Sequence, residues 1–586
     1  MSRSLTWGLL APFAPLSLAL SGCATPTTNG AQPISETASA ASAATTQPEV
    51  FDKGMVSAAD PRAAQAGAEI LRRGGSATDA AIATMLALGV VEPQSSGIGG
   101  GGFLMLADEQ GNVESWDGRE TAPKAATPAR FLDGSGQPLP FRTAVVGGRS
   151  VGVPGNIALA ARIHAEHGRL PWADLFQPAI RLAREGYALS KRGHDSLARS
   201  PDTAAHDPQA RAIYYGSDGQ PSPVGATIRN PALARTLERL AGEGADGFYK
   251  GIIARAIAEK VAAETPSDGK LTEPDLAAFT AKKRPEVCAR YRVYRICSMG
   301  PPSSGATTVL ATLIQLEGFD LAALGPGSPV AWHLIAESER LAYADRELFL
   351  GDPDFVPVPV EALLDPAYLR RRGALISADR TMAKVSAGLP APHLARGEGP
   401  EEHGTSHFVV VDRQGNTASW TSTIESAFGS GIMVGGFYLN NELTDFSFVP
   451  EKDGAIVANR VEGGKRPRSS MAPTLVYGPD GKLLLVVGAA GGATIPVQVI
   501  RALIGSLDWK LPVDQALALP VLFAPTDTIN VEKGSRLEAM IPALTALGHG
   551  SVRAIEMPLK TNAVAVVDGR LVGAGDPRSE GVAVSQ

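Results

Sequence analysis

Cysteine is scarce in this 586-residue chain: Cys23, Cys288 and Cys297 are the only three. One internal disulfide is therefore the most it can form, between Cys288 and Cys297 if Cys23 is otherwise engaged, and there is no thiol cluster for a metal. Charge is sparse as well, with 19% charged residues and a formal net charge of -6 at pH 7. No block of Lys or Arg stands out, which excludes the electrostatic footprint of a nucleic-acid binder and leaves a small-molecule or peptide partner. A G-x-S-x-G elbow is missing, so the commonest serine-hydrolase solution has no support. Ser267-Asp268-Gly269-Lys270 fits S-x-x-K but reads as an Asp-Gly surface turn. His164 and His167 have no carboxylate or cysteine cluster near them in sequence, and no metal or cofactor is expected. Long apolar runs are absent too. The one at the N-terminus is short and broken by Pro12 and Pro15, unlike a membrane span.

What is abundant is glycine, 64 residues, and proline, 44, which implies many turns rather than long helices. The length allows about four domains at ~150 residues each, or one large layered fold. Residues 1–23 end in Leu20-Ser21-Gly22-Cys23 and are similar to a bacterial lipoprotein signal whose Cys23 accepts lipid; a plain secretory signal is the alternative. Either implies export, and the first predicts a periplasmic protein of a Gram-negative bacterium that meets the membrane only through its lipid anchor. Residues 24–49, rich in Ala, Ser and Thr with little charge, read as a tether. Cys288 and Cys297 would face each other across a hairpin turning at Arg292-Val293. An oxidising compartment allows a bridge, but Arg-Val is poor turn chemistry and two buried free thiols remain open.

Asp60 and Pro61 supply a helix cap and a first helical position ahead of PRAAQAGAEILRR, and a second, largely apolar helix follows over 78–91. The run Gly97-Ile98-Gly99-Gly100-Gly101-Gly102 matches G-x-G-x-x-G. It lies between a helix and a strand in that order, the reverse of the dinucleotide fingerprint, so close backbone approach between that helix and the strand is the better reading. From about 155 to 400 the pattern is mostly helical. After Ser406 it changes to strands with hairpin turns at 413–415, 479–481 and 568–569, so the chain shows two textures.

At their junction stands Gly404-Thr405-Ser406-His407. A turn before a strand is the plainer local reading. The chemical one is that a Thr hydroxyl becomes a useful nucleophile with a base beside it, and a free α-amine on the same residue is such a base, with a reference pKa of ~7.7 to 8.0. Thr405 would then have to become a chain terminus. Its hydroxyl would attack the Gly404 carbonyl, which a residue without a side chain leaves accessible.

Ten segments in order, PQSSGIGGGGFLML, DGRETAP, GPPSSGATT, AYADRELFLGDPDF, GTSHFVVVD, TSTIESAFGSGI, LNNELTDFS, GKRPRSSMAPT, GAAGG and GAGDPRS, make residues 50–586 resemble the gamma-glutamyltranspeptidases. The resemblance implies an α+β fold, the four-layer αββα sandwich of N-terminal nucleophile hydrolases with a helix-rich large subunit. It also implies a precursor that cuts itself into a large subunit, residues 50–404, and a small one, residues 405–586. Carried over by position, it makes Thr405 the cleavage residue and nucleophile, Thr423 its hydrogen-bonding helper, and Gly491 and Gly492 the oxyanion hole. Arg119, Ser469 and Ser470 correspond to the holders of a substrate α-carboxylate; Glu425, Glu442 and Asp445 to the surroundings of its α-ammonium. The substrates implied are glutathione and other γ-glutamyl compounds, with water, amino acids or dipeptides as acceptors. Glutaryl-cephalosporin acylases of the same fold, or an uncleaved binder of γ-glutamyl peptides, are the alternatives. Residues 446–468 are shorter than the lid-bearing relatives and lack Tyr, which suggests an open site.

Overall fold

The computed structural model describes residues 49–266, 269–397 and 404–586. Cys23, the expected leader, the expected tether up to residue 48 and the first half of the S-x-x-K stretch lie outside them. Among the described residues no helix is long and apolar enough to cross a membrane.

The helix Pro61–Arg72 begins where Asp60 accepts the Arg62 N–H, and Ala77–Val91 begins in a capping box between Ser76 and Asp79. Both lie on one face of a seven-stranded sheet. Its order is Val582–Ser585, Met55–Ala58, Ser406–Val411, Thr417–Thr423, Gly101–Ala107, Val113–Gly118 and Lys282–Arg284. A second seven-stranded sheet runs Glu49–Phe51, Arg570–Gly575, Lys560–Val567, Leu483–Ala490, Thr474–Tyr477, Tyr294–Ser298 and Val287–Tyr291. The helices Gly305–Gln315, Pro329–Phe349 and Ile495–Leu507 belong to its side of the molecule.

Strand periodicity assigns each side chain to a layer. In Ser406–Val411, Phe408 and Val410 join the core shared with Ile82, Met85, Leu104 and Trp420, while Val409 and Val411 join the one shared with Met105, Leu485 and Val487. A residue-by-residue alternation between two dry cores is what a strand sandwiched between a helix layer and another sheet requires. The result is the αββα sandwich. The two textures of the sequence do not separate in space. Each sheet takes strands from both sides of residue 404, because the central Ser406–Val411 strand pairs with Met55–Ala58 on one edge and Thr417–Thr423 on the other.

The glycine run is accounted for by close approach. A β-carbon on Gly99 would lie 2.1 Å from the Tyr438 carbonyl oxygen, and one on Gly100 2.0 Å from that of Thr423. The helix is touched through Gly97, which packs on Gly89, so most of the crowding comes from strand and loop backbone rather than from the helix expected. Cys288 and Cys297 occupy directly paired positions and are joined as a disulfide. The unfavourable turn is held by tertiary contacts: Arg292 sits at φ 52°, its N–H donates to Glu317 and its guanidinium to Asp508.

Candidate active site

Thr405 is the residue that enters the central strand of the first sheet, and it is buried. Its hydroxyl donates to the carbonyl oxygen of Gly404, the residue before it, and lies 3.3 Å from the Thr423 hydroxyl. Thr423, on the paired strand, points its own hydroxyl at the same Gly404 oxygen at 3.2 Å while accepting the Glu425 N–H at 2.8 Å. The Glu425 N–H orients the Thr423 oxygen, so the Thr423 proton is directed to the Gly404 carbonyl. That polarises the carbonyl that the Thr405 hydroxyl faces. Glu425 holds an unusual backbone for a non-glycine residue, φ 74°, and its carbonyl closes on Gly404.

Gly491 and Gly492 follow the last residue of the second sheet's Leu483–Ala490 strand, both at positive φ, 131° and 59°. Only glycine fits at 491, where a β-carbon would lie 2.4 Å from the Pro558 carbonyl oxygen. Register ties this turn to Thr405. Ala490 pairs with Lys560, and the Lys560 ammonium donates to the Thr405 carbonyl at 3.1 Å, so the glycine turn and Thr405 share one end of the stacked sheets. The same ammonium reaches Glu92 at 2.6 Å and the Ser406 hydroxyl at 3.0 Å.

The expected clamp assembles beside the 467–470 segment. The Arg119 guanidinium is ion-paired with Glu442 and Asp445 and donates to the Arg468 carbonyl at 3.0 Å. Residues assigned to opposite ends of a substrate are therefore in direct contact with each other. Ser470 accepts from Arg346 at 2.7 Å; the Ser469 hydroxyl accepts the Met471 N–H, and its carbonyl takes the Ser304 hydroxyl at 2.8 Å. Glu425 accepts from Asn441 and from Ser426. Within residues 446–468, Asn459 donates to the Asp445 carbonyl at 2.7 Å, and Ala455–Val457 pairs with Leu394–Ala395.

Burial dominates the titration of this cluster. It raises Glu120 to about 7 against the pull of Arg119, and it raises Glu442 and Asp445 too. Their contacts with Arg119 favour ionisation. Arg346 and Arg468 also favour the ionised form of Asp445, so the cluster's burial is opposed by more than one cation. Burial also lowers Lys560 to about 8 and His407 to about 3. His407, with Nδ1 2.9 Å from the Thr421 hydroxyl and Gly488 packed on its ring, is a neutral core histidine despite sitting two residues from Thr405.

Sequence reasoning overlooked Glu92, Glu120, Arg346, Arg468 and Lys560. Glu120, Arg346 and Arg468 stand inside the segments DGRETAP, AYADRELFLGDPDF and GKRPRSSMAPT. Lys560 had no local signal, because its neighbours 155 positions earlier come to it only through sheet stacking.

Among the described residues, two groupings of ligand-type side chains bring their atoms together, His333 with Glu337 and His549, and Glu114 with Glu166 and His167. In the first, the imidazoles bond each other at 2.7 Å and Glu337 accepts from Arg340, Thr381 and the Met382 N–H. In the second, Glu114 accepts from Lys283 and from the Trp116 indole. Both are satisfied as hydrogen-bonded clusters.

A family profile described as Gamma-glutamyltranspeptidase matches residues 63–586. The chain is 37% identical over 539 residues to the glutathione hydrolase proenzyme of Escherichia coli (strain K12), covering 90% of each. It is 33% identical over 547 residues to the acylase ACY 1 proenzyme of Pseudomonas sp. (strain SE83), covering 92% of this chain and 94% of that one. Among solved structures, cephalosporin acylase from Bacillus halodurans aligns with a TM-score of 0.80 at 25% identity, covering 92% of this chain and 97% of its own. Helicobacter pylori gamma-glutamyltranspeptidase aligns with a TM-score of 0.55 at 36% identity, covering 57% of this chain and 95% of its own. With the profile running from the first capped helix to the last residue, through the Thr405 strand and the glycine turn, the chain belongs to the gamma-glutamyltranspeptidase family.

Proposed function

We propose that this chain is a self-cleaving proenzyme whose mature form transfers the γ-glutamyl group of glutathione and related amides to water, amino acids or dipeptides. The observation that carries the reading is the Thr405 hydroxyl held against the Gly404 carbonyl while Thr423 donates to the same oxygen. In the first reaction Thr405 Oγ1 adds to the Gly404 carbonyl carbon, the Gly404–Thr405 C–N bond breaks, and an ester forms. Water hydrolyses the ester, leaving a carboxylate on Gly404 and a free amine on Thr405. Residues 50–404 and 405–586 remain one body, because both sheets interleave strands from the two sides of the cut.

In the second reaction the Thr405 amine takes the hydroxyl proton as Oγ1 attacks the substrate γ-carbonyl, and passes it to the departing amine. The N–H groups of Gly491 and Gly492 receive the developing oxyanion, where a single donor can be worth ~2.7 to 4 kcal/mol of barrier. Arg119, with Ser469 and Ser470, takes the α-carboxylate, and Glu425, Glu442 and Asp445 take the α-ammonium. A zwitterion inserted between Arg119 and its two carboxylates replaces each broken ion pair with a new one, so no charge is left buried alone. Water or an amino acid then relieves Thr405 of the acyl group. No step calls for a cofactor.

Export is part of the reading. The leader-like first 23 residues with Cys23 support it, and so does the Cys288–Cys297 disulfide, which belongs to an oxidising compartment. The full-length likeness to cephalosporin acylase favours a second reading, an amide hydrolase for acyl groups without an α-amine. Three buried carboxylates facing such a group would be poorly paired, which weighs against it.

A denaturing gel tests the proposal. Purified wild type should run as two bands of roughly 40 and 19 kDa, in proportion to the 60.8 kDa of the whole 586-residue chain, and hydrolyse glutathione, while Thr405→Ala should run as one band with no activity. An intact wild-type chain that binds γ-glutamyl peptides without cleaving them would replace the enzyme with a binding protein.

A further inference from the structure

The Lys560 ammonium is fully buried in the interior, on the second sheet, yet its contacts cross to the nucleophile: the Thr405 carbonyl at 3.1 Å, the Ser406 hydroxyl at 3.0 Å and Glu92 at 2.6 Å. Nothing in the acyl-transfer steps above uses it. Glu92, at the end of the Ala77–Val91 helix, gives one oxygen to both Lys560 and Ser406, while its other oxygen has no hydrogen-bond partner and lies 3.9 Å from Arg192. Asp60 also acts on Lys560, and it is itself paired with Arg62. The charged groups facing the start of the Thr405 strand from these elements are thus two cations, Lys560 and Arg192, against Glu92, with Asp60 and Arg62 compensating each other; from the Thr423 strand's end comes Glu425, its carboxylate accepting from Asn441 and Ser426, and His407 on the Thr405 strand itself is neutral.

We propose that Lys560 is a positioning residue that tunes the nucleophile: it fixes the Thr405 main chain through its carbonyl and, as a neighbouring positive charge, keeps the amine released by cleavage in its free-base form. This inference rests on the proposed function of Thr405. The nitrogen and carbonyl oxygen of one residue are about 3.5 Å apart, which puts the ammonium within roughly 7 Å of that amine. A like charge at such a distance disfavours protonation of the amine, and the low-dielectric surroundings strengthen the effect. Burial brings Lys560 itself down to about 8, so it stays cationic through the range where the amine must lose its proton. The base of the reaction is then competent at a lower pH than an isolated N-terminal threonine would be.

The test is the acid limb of the kcat–pH profile of the processed enzyme at saturating γ-glutamyl-p-nitroanilide, where binding-site carboxylates are already engaged by ligand. Lys560→Met should displace that limb upward by about one pH unit, since it removes the cation and leaves Glu92 behind. Lys560→Arg should keep it near the wild-type position. If Lys560→Met does not fold or process, Lys560→Gln, which can still donate to the Thr405 carbonyl and the Ser406 hydroxyl but carries no charge, decides alone, and should displace the limb upward as well. An active wild type whose limb coincides with that of the variant overturns the inference and leaves the function standing. A processed wild type that releases no p-nitroaniline overturns the function, and the inference with it.

Discussion

The α-carbon of Gly404 packs so closely under Glu425 that a β-carbon there would lie 2.1 Å from the Glu425 carbonyl oxygen. Gly404→Ala must therefore push residue 404 away from Glu425, and with it the carbonyl that both Thr405 and Thr423 contact and that Thr405 is proposed to attack. Misplacing a reacting carbonyl by about 1 Å can cost on the order of a hundredfold in rate. Self-cleavage of Gly404→Ala, followed by the loss of the precursor band over time, should be slower by at least about tenfold, and a wild-type rate would show that this contact does not set the attack geometry.

Substrate charge should govern selectivity. Glu425, Glu442 and Asp445 offer carboxylates where an α-ammonium would sit, and Arg119 bridges two of them. A glutaryl amide lacks that ammonium and leaves buried acid groups without a cation, so its kcat/KM should fall at least about tenfold below that of the matching γ-glutamyl amide. Equal values would favour the acylase reading.

Binding should depend on pH through Glu120. Burial holds its carboxyl at about 7, so below that pH the group is protonated and the site carries less negative charge. An ammonium-bearing substrate then binds more weakly. KM for a γ-glutamyl substrate should rise as pH falls from 7.5 to 5.5, approaching about tenfold per unit if Glu120 alone controls it. Glu120→Gln should flatten that rise, and an unchanged slope would remove Glu120 from the account.

Acid stability has a separate source. His407 is buried, and its folded-state pKa is lowered from 6.5 to about 3 by desolvation. The unfolded chain takes up a proton below about 6.5 that the native state refuses until about 3. The stability that the neutral ring contributes is therefore present above 6.5 and lost as pH falls through that window, at up to about 1.4 kcal/mol per pH unit. Urea midpoints measured between pH 7 and 4.5 should fall more shallowly for His407→Gln than for wild type, and parallel slopes would assign the acid sensitivity elsewhere.

Local chemistry made several elements legible. Asp60-Pro61 announced the first helix, the polar tripeptides and dipeptides after 412, 478 and 567 announced hairpins, and sequence arithmetic about Arg292-Val293 placed Cys288 opposite Cys297. Each rests on contacts between residues close in the chain. The glycine run was legible as close approach, but its partners at Thr423 and Tyr438, more than 300 residues away, were not.

What the sequence by itself determined is the ordered set of motifs: the Gly-Thr junction, the glycine pair, the arginine and the acidic residues, and through them the family. Only the tertiary structure decided how those groups meet. Interleaving of strands from both sides of residue 404 makes two prospective subunits one body, stacking of the sheets brings Lys560 to Thr405, and exclusion of water shifts Glu120, Lys560 and His407 away from their ordinary titration. The physical reason is the same in each case. Sheet pairing and desolvation depend on neighbours distant in the chain, and a side chain carries no local record of which charges will be buried beside it.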